Sequence, residues 1–398
     1  MFSSPHPPPS AWRATIAAFC ASLVGIGLAR FAYTPLLPAI VAAHWFAASS
    51  AAYLGAANLA GYLLGALLGR PAAIRTSPRV VLRASMALAT VAFAACAYPV
   101  SLSWFFGWRL LSGVAGGASM VLAAPAVLPL VPAARRGVVG GIVFMGVGVG
   151  VAASGTLVPL LLAQSLAATW WGLAALSAVL TLVAWNGWPR GAPPPAAQPA
   201  ARTHDAPSRP LRALYLQYAL NAAGWVPHMI FLVDFVARGL GRGIDTATRY
   251  WVIFGIGATV GPVLAGALAD RTGFRRALRI AFVVDAGAIA LPAVSTATLS
   301  LIVSSALVGA FVTGTVPLVL GRLHDLLAHR PDRQGDAWKT ATVVFALFQA
   351  MAAYAMSYGF SASGGHYRGL FIVGAVALVV ALAIDSIGPR RGTHRQRG

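Results

Sequence analysis

Long apolar runs recur along the chain from about residue 14 to residue 388, separated by short clusters of Arg, Pro, Ser and Gly. A helix needs about 20 mostly apolar residues to cross the hydrocarbon of a bilayer. By that ruler the pattern predicts 12 spans, near 14–40, 48–69, 79–98, 102–125, 137–163, 167–188, 211–235, 247–269, 276–295, 298–321, 337–361 and 366–388. Most of the runs lack the period-two alternation of barrel strands and are rich in Ala, Leu and Gly, so an all-α membrane protein is expected. The first run is longer than a signal-peptide core and has no evident cleavage site, which makes it a retained first helix.

The Pro-rich stretch PRGAPPPAAQPAARTHDAPSRP, residues 189–210, falls near the middle and reads as a flexible linker. The expected organisation is a six-helix bundle over 1–188, the linker over 189–210, and a second six-helix bundle over 211–398. The halves echo each other: GALLGR begins at Gly65 and GALADR at Gly266, an offset of 201, each closing the second span of its half. A parallel repeat of this kind places a binding site at the bilayer midplane between the halves.

Composition narrows the classes. Only 10% of residues are charged, 58% are hydrophobic and the mean hydropathy is +0.75, too little charge to clothe a soluble globule of 398 residues. A soluble enzyme and a disordered or collagen-like chain are excluded. The net charge of +20 does not point to nucleic acid, because the cations are scattered between apolar blocks instead of gathered on a soluble face. They set orientation instead, since Lys and Arg in short loops stay on the cytoplasmic side. With the N-terminus inside, 23 cations fall on that side and four, Arg238, Arg242, Arg249 and Arg368, on the other, so both termini are expected in the cytoplasm. Cys20 and Cys96 lie in apolar stretches with no metal or redox spacing and read as buried side chains.

The segment GALADRTGFRR, Gly266 to Arg276, resembles the cytoplasmic-loop motif of the major facilitator superfamily (MFS). RLLSGVAGG, from Arg109, is similar to that superfamily's fourth-helix motif, and GIGLARFAYTPLLPAI, from Gly25, with GVGVGVAASGTLVP, from Gly146, most resembles its YbfB/YjiJ-type branch. The resemblance implies the MFS fold, with span 2 meeting span 11 and span 5 meeting span 8 along the seam. It also implies coupling or gating roles for Asp270 and Arg271 in the loop motif, and helix-1 contacts or proton coupling for Arg109. Gly69 stands where the second copy has Asp270, so the acid that latches the cytoplasmic side is expected in one half alone. The ridges Gly61–Gly65–Gly69, Gly146–Gly150 and Gly257–Gly261 repeat the small-xxx-small spacing of close helix approach, and fit either sliding surfaces between halves or static packing.

An intramembrane charge is costly enough to mark a functional site. Residues 1–204 contain no Asp or Glu, so Arg30 and Arg109 have no carboxylate in their own half. Arg30, with Tyr33 and Thr34 on the same helical face, is expected to engage an anionic group, against a structural role bracing carbonyls. On span 7, Asn221, Trp225 and His228 fall at i, i+4 and i+7 and could line the cavity; His228 is the candidate protonation switch, or else a hydrogen-bonded core residue. Asp234 is expected in a surface ion pair with Arg238, Asp285 beside Arg279 or a neighbouring helix, and Asn58, Tyr62 and Gln349 in secondary roles or interhelical hydrogen bonds.

An enzyme would need a nucleophile, paired acids or a metal cluster at one depth, and the sequence has no Glu, dispersed His and no phosphate-binding GxxxxGK[ST] loop. A receptor would carry a soluble domain. The expectation is therefore a secondary transporter, monomeric and multi-pass in a cell (inner) membrane, without cofactor or metal. Its expected cargo is a small organic anion moved with protons or down its own gradient; the alternative is a proton-driven exporter of apolar or cationic compounds.

Overall fold

The computed structural model describes residues 11–132, 136–189, 207–330 and 333–387, and among them the chain is helical with no strand. Twelve helical segments follow one another: α1 (Ala11–Ala42), α2 (Ala48–Arg75), α3 (Pro78–Ala95), α4 (Leu102–Val127), α5 (Arg136–Leu162), α6 (Leu166–Ala184), α7 (Arg209–Gly239), α8 (Gly243–Thr272), α9 (Phe274–Val294), α10 (Thr298–Leu326), α11 (Gln334–Ala362) and α12 (Arg368–Ile387). Eleven of these are long and apolar enough to cross a membrane, and the described apolar part of α12 is shorter. Most of the predicted linker, and the basic stretch after 387, lie outside the described residues.

Local chemistry sets the helix ends. Ser77, Ser101 and Ser165 precede α3, α4 and α6, and their hydroxyls accept from the backbone N–H groups of Val80, Trp104 and Ala168 at 3.2, 3.1 and 3.0 Å. Gly273, at φ +78°, makes the abrupt corner between α8 and α9 that an L side chain would resist.

The two central helices are interrupted. In α1 the ladder widens over Leu23–Leu28, where Ala29 N–H reaches back five residues to Val24 C=O at 3.0 Å, and helix resumes at Tyr33. In α7 the same widening occurs at Pro227–Phe231 and again at Phe235–Gly239. With the repeat offset of 201, the interruption in α1 overlaps the first of those in α7. Such bulges expose backbone carbonyls where regular helix would hide them.

The glycine ridges resolve differently from the sliding reading. A methyl on Gly61 or Gly65 would fall onto the carbonyls of Leu110 and Val114, and one on Gly69 would sit 3.0 Å from the Cα of Ala118, so the whole ridge of α2 is pressed against α4. Likewise Gly257 and Gly261 of α8 face Ala306 and Ala310 of α10, and Gly146 and Gly150 of α5 face α1. These are packing pairs within each half of the repeat and not contacts between halves. The seam uses other glycines: on α5 and α8, Gly148 abuts Thr259, Gly155 abuts Val252, and Gly255 abuts Ala152. Farther along the same antiparallel pair, Gly140, Gly141 and Gly266 have open space beside them. The two helices therefore touch toward the end of the molecule bearing the α7–α8 turn and part toward the end bearing the α8–α9 turn. α2 and α11 also meet across the seam, Tyr53 and Tyr354 lying with ring centroids 6.3 Å apart.

Candidate functional site

Arg30 follows the interruption in α1, and its guanidinium reaches across to the second half. Nη2 donates to Gln349 Oε1 of α11 and lies 3.7 Å from the sulfur of Met229 on α7. The cation sits over the rings of Tyr62 and Phe31, at 5.0 and 5.4 Å from their centroids. Its Nε has no hydrogen-bond partner, and among the described residues no carboxylate is within ion-pair distance. The side chain is only partly buried. One residue group beside it closes the seam: Thr34 donates to the Met229 carbonyl, Gly55 lies against Ile230, and Phe31 packs on Trp251, itself stacked on Phe254 with centroids 4.7 Å apart. Trp251 Nε1 donates to Ser154 Oγ of α5 at 3.0 Å, a further bond across the seam.

Arg109 does something else. It is 2% exposed and donates to Ala29 C=O at 2.9 Å, on the carbonyl that the break in α1 leaves available. Asn58 adds a second donor to that carbonyl at 3.3 Å and ties it to α4 through Arg109 C=O at 3.2 Å and Ser112 Oγ at 2.8 Å. The guanidinium covers the ring of Tyr33 at 4.3 Å, while the Tyr33 hydroxyl donates to Ala51 C=O at 2.7 Å. Tyr33 thus belongs to the Arg109 brace, whereas Arg30, Thr34 and Gln349 share one cluster.

The stripe on α7 forms a second, separate group. Trp225 Nε1 donates to Asp285 Oδ2 of α9 at 2.8 Å, and His228 Nε2 meets Ser304 Oγ of α10 at 2.8 Å with Phe371 of α12 edge-on at 5.3 Å. Asn221 is fully buried, with neither amide atom partnered. Trp225 and His228 bond away from Arg30, toward α9 and α10. Asp285 is paired with the indole and not with Arg279.

At the far end, Asp234 is fully buried instead of lying at the surface. It binds Arg238 through both oxygens, by way of Nε and, at 2.7 Å, Nη2, and accepts from the Tyr367 hydroxyl at 2.7 Å. Burial and the Asp234 carboxylate push the Tyr367 hydroxyl upward from its ordinary value, so it remains a neutral donor. A cavity of about 420 Å³ opens here between the halves, lined by Ser49, Arg238, Ser361 and Tyr367 among others. Asp270 and Arg271 are exposed, and among the described residues the Asp270 carboxylate meets no basic side chain.

A family model described as "Uncharacterised MFS-type transporter YbfB" matches residues 22–386. The chain belongs to this family. It is an integral, multi-pass MFS transporter and not an enzyme. Among solved structures, the fold is similar to a D-xylose-proton symporter at a TM-score of 0.76 and 16% identity, covering 95% of this chain and 98% of that one. It is also similar to the xylose transporter XylE from E. coli in a partially occluded inward-open conformation, with a TM-score of 0.70, 15% identity, and 94% and 96% of the two chains covered. No curated protein matches the sequence. At these identities the likeness carries the fold alone. The residues that sequence reasoning passed over are Met229, Phe31 and Ser304. Met229 neighbours a selected histidine, but nothing in the sequence announces that the break in α7 turns its sulfur and carbonyl toward α1.

Proposed function

We propose that this MFS transporter moves a small organic anion together with protons, its two halves, residues 1–188 and 211–398, rocking about Arg30. The observation that carries the reading is a guanidinium held between the halves with a neutral acceptor, Gln349, and, among the described residues, no carboxylate in reach. A carboxylate oxygen can replace the amide oxygen of Gln349, and the planar fork of Arg offers more than one N–H to it. Arg109, by contrast, is occupied by the brace on α1 and serves to hold Arg30 in place.

The cationic loops orient both termini to the cytoplasm of the inner membrane. In that frame the halves are closed on the outer side, by Thr34, Gly55 and the Phe31–Trp251–Phe254 stack, and parted on the inner side beyond Gly148 and Thr259. An inward-facing state also accounts for Asp270 standing without a basic neighbour: the one-sided latch is released.

Uptake into proteoliposomes tests the reading. Labelled monocarboxylates and labelled apolar cations are offered with and without an imposed pH gradient. Accumulation of a monocarboxylate driven by the gradient, abolished in Arg30→Ala, is the expected result. Cation export with anion uptake absent, or anion uptake unchanged in Arg30→Ala, overturns it.

A further inference from the structure

The polar group behind α7 has no part in the seam, yet it carries a carboxyl that the surrounding helices do not neutralise. Asp285 is 1% exposed, its Oδ2 has a single donor in Trp225 Nε1, and its Oδ1 has none. Burying an ionised carboxylate without a cation or a full set of donors is severely penalised. Among the described residues no cation lies within ion-pair distance of Asp285. The middle of α10 and of α12 carries no ionisable side chain at all, between residues 298 and 321 and between 369 and 384. On α8 the charged residues, Asp245, Arg249, Asp270 and Arg271, stand at the two ends. On α9 the nearest cation in sequence is Arg279, six residues earlier and about 9 Å along the axis. From α7 the ionisable groups on the same stripe are His228 and Tyr218, the latter a neutral phenol packed on Phe345 with ring centroids 4.5 Å apart, and neither is a fixed cation.

The hydrogen bonds fix what His228 can do. Ser304 has one O–H, and it is given to Ala288 C=O at 2.7 Å, so the 2.8 Å contact with His228 requires the imidazole to donate from Nε2. Nδ1 is then an acceptor, buried and unpartnered. Ala288 lies three residues beyond Asp285 on α9, one helical turn away. Asn221, one turn from Trp225 on the other side, adds a second unpartnered acceptor in its amide oxygen. The group therefore contains one acid needing a proton, one base in His228 Nδ1, and one neutral amide able to hydrogen-bond.

We propose that Asp285 is a membrane-embedded proton-binding site, protonated in this conformation, with the unpartnered Nδ1 of His228 as the base that takes up its proton when the helices rearrange, giving carboxylate and imidazolium, and the Asn221 amide as a neutral hydrogen-bond partner. This deepens the proton-coupled reading above and rests on it. The site also has a mechanical link to Arg30. The Trp225 ring that binds Asp285 packs on Phe345 of α11 at 5.6 Å between centroids, and Phe345 is one turn before Gln349, the acceptor for Arg30. Loss of the proton charges Asp285, tightens its hold on the indole, and shifts the face of α11 that positions Gln349.

Infrared spectroscopy of the purified full chain tests the site without any cargo. The C=O stretch of a protonated carboxyl is expected near neutral pH in the wild type, absent in Asp285→Asn and retained in Asp234→Asn. Should Asp285→Asn fail to fold, Trp225→Phe, which keeps a ring against Phe345, is expected to move the band by removing its one N–H donor. A wild type lacking the band, a band surviving in a folded Asp285→Asn, or a band unmoved in Trp225→Phe overturns the proposal. In proteoliposomes, Asp285→Asn is expected to keep exchange of the transported monocarboxylate while losing accumulation driven by a pH gradient; equal loss of both overturns the coupling role. If no monocarboxylate moves at all, the anion reading fails while the infrared result still decides the proton site.

Discussion

Gln349→Ala separates a competitor for Arg30 from a direct cargo ligand. In the wild type the Gln349 amide oxygen accepts from Arg30 Nη2, and on the proposed reading an anion arriving at that nitrogen would displace it. A hydrogen bond to a charged group contributes about 1.5–3 kcal/mol. Once Gln349 is truncated, that term is absent from the empty site and no longer opposes binding. At about 1.4 kcal/mol per tenfold, the anion should bind roughly 10- to 100-fold more tightly. The empty protein should at the same time melt earlier, because the guanidinium has then lost its one strong acceptor and Met229 has lost the Gln349 Nε2 contact at 3.3 Å. Isothermal titration with the monocarboxylate giving the highest uptake, paired with thermal unfolding with and without it, measures both terms. Affinity in Gln349→Ala equal to or weaker than wild type would refute the reasoning, and would instead make Gln349 a direct contact of the cargo.

Other perturbations probe the remaining parts. Gly148→Val places methyl groups where Thr259 N already lies 2.5 Å from an added Cβ, so the outer closure should fail, with cysteines placed at Ser49 and Ser361 becoming more reactive to a membrane-impermeant thiol reagent. Arg109→Met leaves the Ala29 carbonyl to Asn58 alone; loss of one buried charge-assisted bond predicts destabilisation of about 1.5–3 kcal/mol and lower uptake without a change in pH dependence. Asp234→Asn breaks a buried ion pair and should cost about 3–5 kcal/mol, read by thermal unfolding, with Arg238→Leu in the same background restoring part of it. Single cysteines at Thr76 and at Ser101, in a background lacking Cys20 and Cys96, should label from the inside and the outside respectively; the reverse pattern overturns the orientation.

Much of this was legible in the sequence because apolar run length and charge placement act locally. Spans, family and the unusual position of Arg30 all come from residues read where they stand. What was not legible is which neighbour a helix face meets. Gly61, Gly65 and Gly69 share one face of α2 by period alone, but period does not say whether α4 or α11 lies opposite, and it is α4 that does. The contact loosens toward the position of the missing acid: an added Cβ at Gly69 would sit 3.0 Å from the Cα of Ala118, against 1.9 and 2.1 Å from backbone oxygens at Gly61 and Gly65, so a side chain there needs a small shift of α4. Matching contacts of Gly61 with Leu110 and of Gly261 with Ala310, both offset by 200, show the repeat more firmly than the motif copies do. Asp285 met its partner sixty residues away, in an indole, which charge counting does not search for.

The uneven distribution of acids between the halves has a mechanical consequence. Residues 1–204 hold the embedded arginines and no acid, while the buried acids, Asp234 and Asp285, belong to the second half. Had either acid faced Arg30 across the seam, the two would form a buried ion pair joining the halves, and opening it would leave uncompensated charges at a cost of about 3–5 kcal/mol. Every transport cycle would then work against that pair, and an anion would have to compete with a carboxylate tethered at the site. Instead Asp234 is bound by Arg238 and Tyr367 of its own half, and Asp285 stands behind Trp225 and Phe345. Arg30 is left with a neutral amide that an anionic cargo would displace on the proposed reading, and the acid proposed to carry the proton is linked to it by ring packing and a helix face. Moving an acid to the seam, as in Met229→Asp, should accordingly lock the halves: binding of the monocarboxylate and uptake are both expected to fall, with the melting temperature raised instead of lowered. Retained uptake in a folded Met229→Asp would show that a fixed counter-charge at Arg30 is tolerated and that the segregation of acids has another cause.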